Sequence, residues 1–189
     1  MRAAVFLDRD GTLIEGEGYL GDPAGVRAIT GAREAVRLMA ERGYLRIVVT
    51  NQSGVARGYF DEDAYASVAA ATDTAVGPLD AQYACFHLAE GSVAPWNSAC
   101  ACRKPLPGLI LGAAREWDID LARSVLVGDD LRDLQAAVAA GVEPILVRTG
   151  KGARNEALLA DAGLGGTRVV DSVVDVAHSL TDVSAEIPS

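Results

Sequence analysis

Short apolar runs alternate along this chain with stretches whose apolar residues recur at helical spacing. Ala3 to Leu7 is the first run, continuous and β-friendly and closed by polar residues, which predicts a short buried strand. Ala32 to Arg42 follows, with Ala35, Leu38 and Met39 on one helical face and Gly43 as the stop. Leu45 to Val49 predicts a second buried strand. A helix is expected from Asp61, as N-cap, to Val76, and a strand over Ala81 to Phe86. Pro107 to Trp117 is a third helix entered through proline, and Ser124 to Val127 is a fourth strand. Leu131 to Ala140 is a helix stopped by Gly141, Pro144 to Val147 a fifth strand, and Arg168 to Val170 a weak sixth before a last helix near 172–180.

Strands that alternate with helices imply a mostly parallel sheet covered on both faces, a three-layer Rossmann-like α/β fold. Right-handed crossovers then put every strand's C-terminal end on one edge. Polar clusters sit at those ends: Asp8 and Asp10 after the first strand, Thr50-Asn51-Gln52-Ser53 after the second, Asp129-Asp130 after the fourth. One site is expected to collect them. Two carboxylates as close as Asp8 and Asp10 repel unless a cation sits between them or one is protonated.

Residues 13–30, rich in glycine and acid, read as an irregular excursion above the first strand end, too short for a separate lid domain. At 189 residues the chain is expected to form one domain spanning 1–189, with this short loop and a second unusual segment at 85–105. Its hydrophobic half and 23% charged residues fit a folded globular protein. A net charge of −9, with no basic cluster beyond Arg103-Lys104, argues against nucleic-acid binding. An acidic protein that takes an anionic substrate must concentrate cations or a metal in one place. No apolar run reaches the ~20 residues that span a bilayer, and no basic, then apolar, leader opens the chain. No membrane partner and a cytoplasmic location are the expectation, with a monomer as the assembly.

The strand-end residues suit phosphoryl transfer, which needs an in-line nucleophile, Mg²⁺, a cation and hydrogen-bond donors around spread negative charge. Asp8 is the candidate nucleophile and Asp10 the candidate acid/base. Asp8, Asp129 and the main-chain carbonyl of Asp10 form an oxygen set for Mg²⁺. Thr50 and the backbone after it would donate to the phosphate, and Lys104 would neutralise it. Asp130 is a candidate for metal-site water or substrate. Asp133 is open to a plainer reading, a first-turn charge favoured by the helix dipole.

All three cysteines and one of the two histidines fall close together, as Cys85-Phe86-His87 and Cys100-Ala101-Cys102. Four such ligands could close a tetrahedral Zn²⁺ site, although the spacing is not the Cys-x₂-Cys of zinc fingers. With no open position, that zinc would be structural.

These motifs, in this order over residues 3–150, resemble the haloacid-dehalogenase phosphohydrolase superfamily. The resemblance narrows to one branch, the bacterial heptose-bisphosphate phosphatases and their histidinol-phosphatase relatives. It rests on Asp8-Arg9-Asp10-Gly11-Thr12, Gly18-Tyr19, Thr50 to Gly54 with Ala56-Arg57-Gly58, the Cys/His segment, Arg103 to Gly108, and Gln135-Ala136-Ala137. It implies a haloacid-dehalogenase-type sheet with a minimal cap, and an Mg²⁺-dependent phosphatase acting on a small phosphorylated sugar. It further implies that Gly16, Glu17, Gly18 and Tyr19 line the sugar, that Asn51, Gln52 and Ser53 face the substrate, and that Arg103 recognises a second phosphate. Two departures stand out: Phe86 and the residues after His87 where relatives carry prolines and a second histidine, and Asp130 where the heptose enzymes often carry lysine. Competing readings are histidinol-phosphate hydrolysis and a zinc-stabilised binding domain without activity.

Overall fold

The computed structural model describes residues 1–16 and 18–184. Six strands form one parallel sheet: β1 (Ala4–Leu7), β2 (Leu45–Asn51), β3 (Ala81–Cys85), β4 (Val125–Gly128), β5 (Glu143–Val147) and β6 (Arg168–Val170). Their spatial order is β3-β2-β1-β4-β5-β6, so β1 lies between β2 and β4 and the order reverses beside it. Reversal points of this kind leave a crevice outside the strands' carboxyl ends.

The helices are α1 (Ala32–Glu41), α2 (Glu62–Val76), α3 (Gly108–Trp117), α4 (Leu131–Ala140), α5 (Gly152–Glu156) and α6 (Val173–Ser179). β1 explains why its run is continuously apolar. Val5 and Leu7 enter the core shared with Val36 and Met39 of α1 and Val176 of α6, whereas Ala4 and Phe6 enter the core shared with Ile110 of α3 and Ala137 of α4. Period-two alternation with both faces covered leaves no position for a polar residue until the strand ends.

Local chemistry sets the helix starts. Asp61 accepts from the Ala64 amide at 2.8 Å as the α2 N-cap. Asp130 caps α4 in a capping box whose other arm is Asp133. α5 was not legible as an element, because five residues carry too little periodicity. Gly152 opens it, and a Cβ there would run into the Val147 carbonyl.

The 13–30 excursion is held by its own legs. The Glu15 amide donates to Arg27 O at 2.8 Å and the Ile29 amide to Leu13 O at 3.0 Å, while Leu13 and Ile14 are buried. It turns back through a 3₁₀ turn at Pro23–Gly25, capped by Asp22.

Candidate active site

Because β1 is flanked by β2 and β4, their three polar ends meet. The Asp8 amide donates to Val127 O at 2.9 Å, continuing the sheet by one residue. Lys104 arrives from the segment before α3. Its Nζ reaches Asp8 Oδ1 at 2.8 Å, Val49 O at 2.8 Å and Asp133 Oδ1 at 2.6 Å. Asn51 holds that lysine in place: its Nδ2 donates to Lys104 O at 3.0 Å and its Oδ1 accepts the Lys104 amide at 3.0 Å. Burial works against the ammonium, but the charges of Asp133 and Asp8 outweigh it and push the Lys104 pKa above its ordinary value.

Asp10 is fixed from two sides. Arg9, wholly buried, places Nε and Nη2 against the Asp10 carboxylate, with Nη2 3.0 Å from Oδ2, and Gln52 Nε2 donates to the same oxygen at 2.8 Å. Gln52 Nε2 also donates to Thr50 Oγ1 at 2.9 Å, so the β1 and β2 ends share one amide.

Asp129 completes the acidic side. Carboxylate oxygens of Asp8, Asp129 and Asp133 all lie within 4.8 Å of one another. Burial first, and the Asp8 charge second, push the Asp129 carboxyl up to about 7 although the Lys151 amide donates to it at 2.8 Å. Asp133 is pushed up to about 6 by burial and by Asp8, against the opposing pull of Lys104. Three buried acids around one ammonium leave a deficit of positive charge, and an all-oxygen donor set fits a hard divalent cation. Gly11 (φ +85°) and Gly150 (φ +55°) face the Asp129 carboxylate so closely that a Cβ on either would overlap it. Both conformation and space demand glycine at these two positions.

The Cys/His segment folds into one cluster. Cys85, His87, Cys100 and Cys102 bring their ligand atoms within 4.8 Å of one another, with Cys102 Sγ 3.0 Å from Cys85 Sγ and 3.2 Å from Cys100 Sγ. Burial and the neighbouring thiols push the Cys85 pKa up. Three soft sulfurs and an imidazole fit Zn²⁺. Arg103 is tied to this cluster twice: its amide donates to Cys100 Sγ at 3.3 Å and Nη1 to His87 O at 3.2 Å.

These groups surround one cavity of about 270 Å³. Asp8, Asp10, Thr50, Asn51, Gln52, Ser53, Arg103, Lys104, Asp129 and Asp130 all line it, together with Gly16, Gly18 and Tyr19 of the 13–30 loop. Glu17 lies outside the described residues. Asp130 is not a bare acid facing the cavity. Burial alone would raise its pKa, but bidentate hydrogen bonds from Arg132, at 3.0 and 2.8 Å, hold it down at about 2. The plainer reading of Asp133 is incomplete. Besides accepting the Asp130 amide on its carboxylate at 3.1 Å, it is 2% exposed and faces Lys104 in the site. Arg57, Arg132 and Lys151 also line the cavity; the sequence reading gave none of them a role, although Arg57 lies in the Ala56-Arg57-Gly58 motif. The signal for Asp133 was its place one turn into the helix that Asp129-Asp130 opens. The signal for Arg57 was its motif, and Arg132 and Lys151 carry none in local pattern.

A parallel sheet of this order, with acids at the ends of its central strands and a lysine between them, defines the class: a HAD-like hydrolase. A family model described as HAD-hydrolase-like matches residues 101–176. Over 153 residues the chain is 44% identical to the D-glycero-beta-D-manno-heptose-1,7-bisphosphate 7-phosphatase of Yersinia pestis, covering 78% of this chain and 81% of the relative. It is 42% identical over 189 residues to the enzyme of the same name from Vibrio cholerae, covering 96% and 98%. The crystal structure of D,D-heptose 1,7-bisphosphate phosphatase from B. bronchiseptica, complexed with magnesium and phosphate, superposes with a TM-score of 0.80 at 37% identity, covering 93% of this chain and 96% of that one. The chain belongs to the D-glycero-beta-D-manno-heptose-1,7-bisphosphate 7-phosphatase family.

Proposed function

We propose that this protein removes the 7-phosphate of D-glycero-D-manno-heptose 1,7-bisphosphate, as its relatives are named for doing, through an aspartyl-phosphate on Asp8. The observation that carries the reading is one cavity lined both by Asp8 and Asp10 and by Arg103, which is moored to the Cys/His cluster.

A carboxylate oxygen of Asp8 forms a bond to phosphorus while the bond to the sugar oxygen breaks. Asp10 gives that oxygen its proton, then takes one from the water that displaces Asp8 and releases phosphate. Arg9 and Gln52 aim the Asp10 carboxylate, which matters because a small misplacement of an acid costs much of its rate advantage. Lys104 and Thr50 stabilise the negative charge spread over the phosphoryl oxygens. Asp8, Asp129 and the Asp10 carbonyl are the candidate holders of Mg²⁺, with Asp133 next to them. When bound, the ion supplies the positive charge that three buried acids call for. Cys85, His87, Cys100 and Cys102 are the candidate holders of a structural Zn²⁺, which would stiffen the segment that carries Arg103. Among the described residues no helix is long and apolar enough to cross a membrane.

Side-by-side rates on heptose 1,7-bisphosphate and histidinol phosphate test the substrate. A clear preference for the bisphosphate, reduced in Arg103→Ala, is the expected outcome. Equal or reversed rates overturn it.

A further inference from the structure

Most cations around the cavity are already matched by acids of the protein itself. Lys104 stands between Asp8 and Asp133 at 2.8 and 2.6 Å, Arg132 is bound to Asp130, and Lys151 approaches Asp130 at 3.7 Å. A substrate anion could recruit these groups only by disturbing existing ion pairs. Two guanidiniums differ. Arg103 donates to a neutral carbonyl, and Arg57 has no carboxylate partner among the described residues. The Arg57 guanidinium instead sits 5.7 Å from the centroid of the Tyr19 ring, and Tyr19 meets Tyr59 edge-on at 4.8 Å.

The backbone mounts both guanidiniums on one body. The amides of Ser92 and Val93 donate to Ala56 O at 2.8 and 3.0 Å, joining the Arg57 loop to the segment whose cysteines tether Arg103. Gly91 makes that contact possible, since a Cβ there would lie 2.7 Å from Ala56 O.

We propose that Arg57 and Arg103 together seat the phosphate that is not transferred, with the Tyr19 ring holding Arg57 ready over the cavity. A second phosphate brings nearly two negative charges toward a wall rich in carboxylates, so it needs cations that are not already spent. Paired guanidiniums grip phosphate oxygens bidentately, which a lysine cannot do. Stacking on Tyr19 lowers the ordering cost that an exposed arginine would otherwise meet on binding. This inference rests on the bisphosphate reading above and adds Arg57 as a specificity-determining residue for it, with Tyr19 as its positioning residue.

Heptose 1,7-bisphosphate and heptose 7-phosphate, which differ only in the second phosphate, provide the test. Arg57→Ala lowers kcat/KM for the bisphosphate by about 10- to 100-fold, mainly through KM, as loss of a charged hydrogen-bond donor does, and lowers that for the monophosphate much less. Tyr19→Phe, which keeps the ring, retains the preference for bisphosphate, and Tyr19→Leu loses part of it through KM. If wild type prefers the bisphosphate and Arg57→Ala keeps that preference, or loses equally on both substrates, the seat is overturned and the substrate reading stands. A wild-type enzyme without the preference overturns the substrate reading and the seat together.

Discussion

The Lys104 ammonium lies 2.6 Å from the Asp133 carboxylate, and each side chain is only 3% exposed. Asp8 takes the same ammonium from the other side at 2.8 Å. The lysine proposed to neutralise the phosphoryl group is therefore held by two acids, the proposed nucleophile and one acid outside the proposed reaction. Asp133 can keep Lys104 in position while Asp8 turns its charge to other work.

This arrangement makes Lys104 a stability residue as well as a candidate catalytic one. Lys104→Met leaves two buried acids without their cation and is expected to cost about 3–5 kcal/mol in urea unfolding. Asp133→Asn costs less, because Asp8 and the Val49 carbonyl remain as partners for the ammonium. Double-mutant analysis should show a coupling of about 1 kcal/mol or more between the two positions, as residues sharing a network do. Additive effects would mean that the ion pair is energetically idle.

Asp8→Asn removes the proposed nucleophile while keeping the side chain's shape. Phosphate release should fall by at least about 10³-fold, the order of loss seen when a nucleophile that acts with its neighbours is removed. Activity retained at a tenth of wild type would rule out the covalent step on Asp8.

Metal analysis of the purified protein should find close to one zinc per chain, bound by Cys85, His87, Cys100 and Cys102. Cys102→Ser, or chelation, should lower the thermal midpoint by several degrees and raise KM for the bisphosphate, because the cluster is what Arg103 hangs from. Zinc well below one per chain would discard the assignment.

Two glycines should respond in opposite directions to the same substitution. Gly11→Ala forces a side chain into a left-handed backbone and against the Asp129 carboxylate. It is expected to cost about 1–3 kcal/mol from the backbone alone, and most of the activity with it. Gly112, inside α3 with nothing within 4 Å of an added Cβ, should gain about 0.5–1 kcal/mol on Gly112→Ala. Urea midpoints and phosphate release on the two variants check both.

Sequence and structure divide the work at a physical boundary. Apolar periodicity and end signals are local, so β1, the Asp61 cap of α2 and the Gly141 stop of α4 were legible from the chain alone. The type and spacing of Asp8, Asp10, Cys85, His87, Cys100 and Cys102 are local too, and they speak directly to phosphoryl transfer and to metal. Strand order is not local. Placing β4 beside β1 brings Asp133, at the start of the helix after β4, to the Lys104 that also meets Asp8 at the end of β1. Which charges are spent on one another, and so which are left for a substrate, depends on contacts between distant segments. Residue types decided the chemistry this protein has to hand. Only the packed sheet decided that Lys104 answers to two acids and that, among the described residues, Arg57 answers to none.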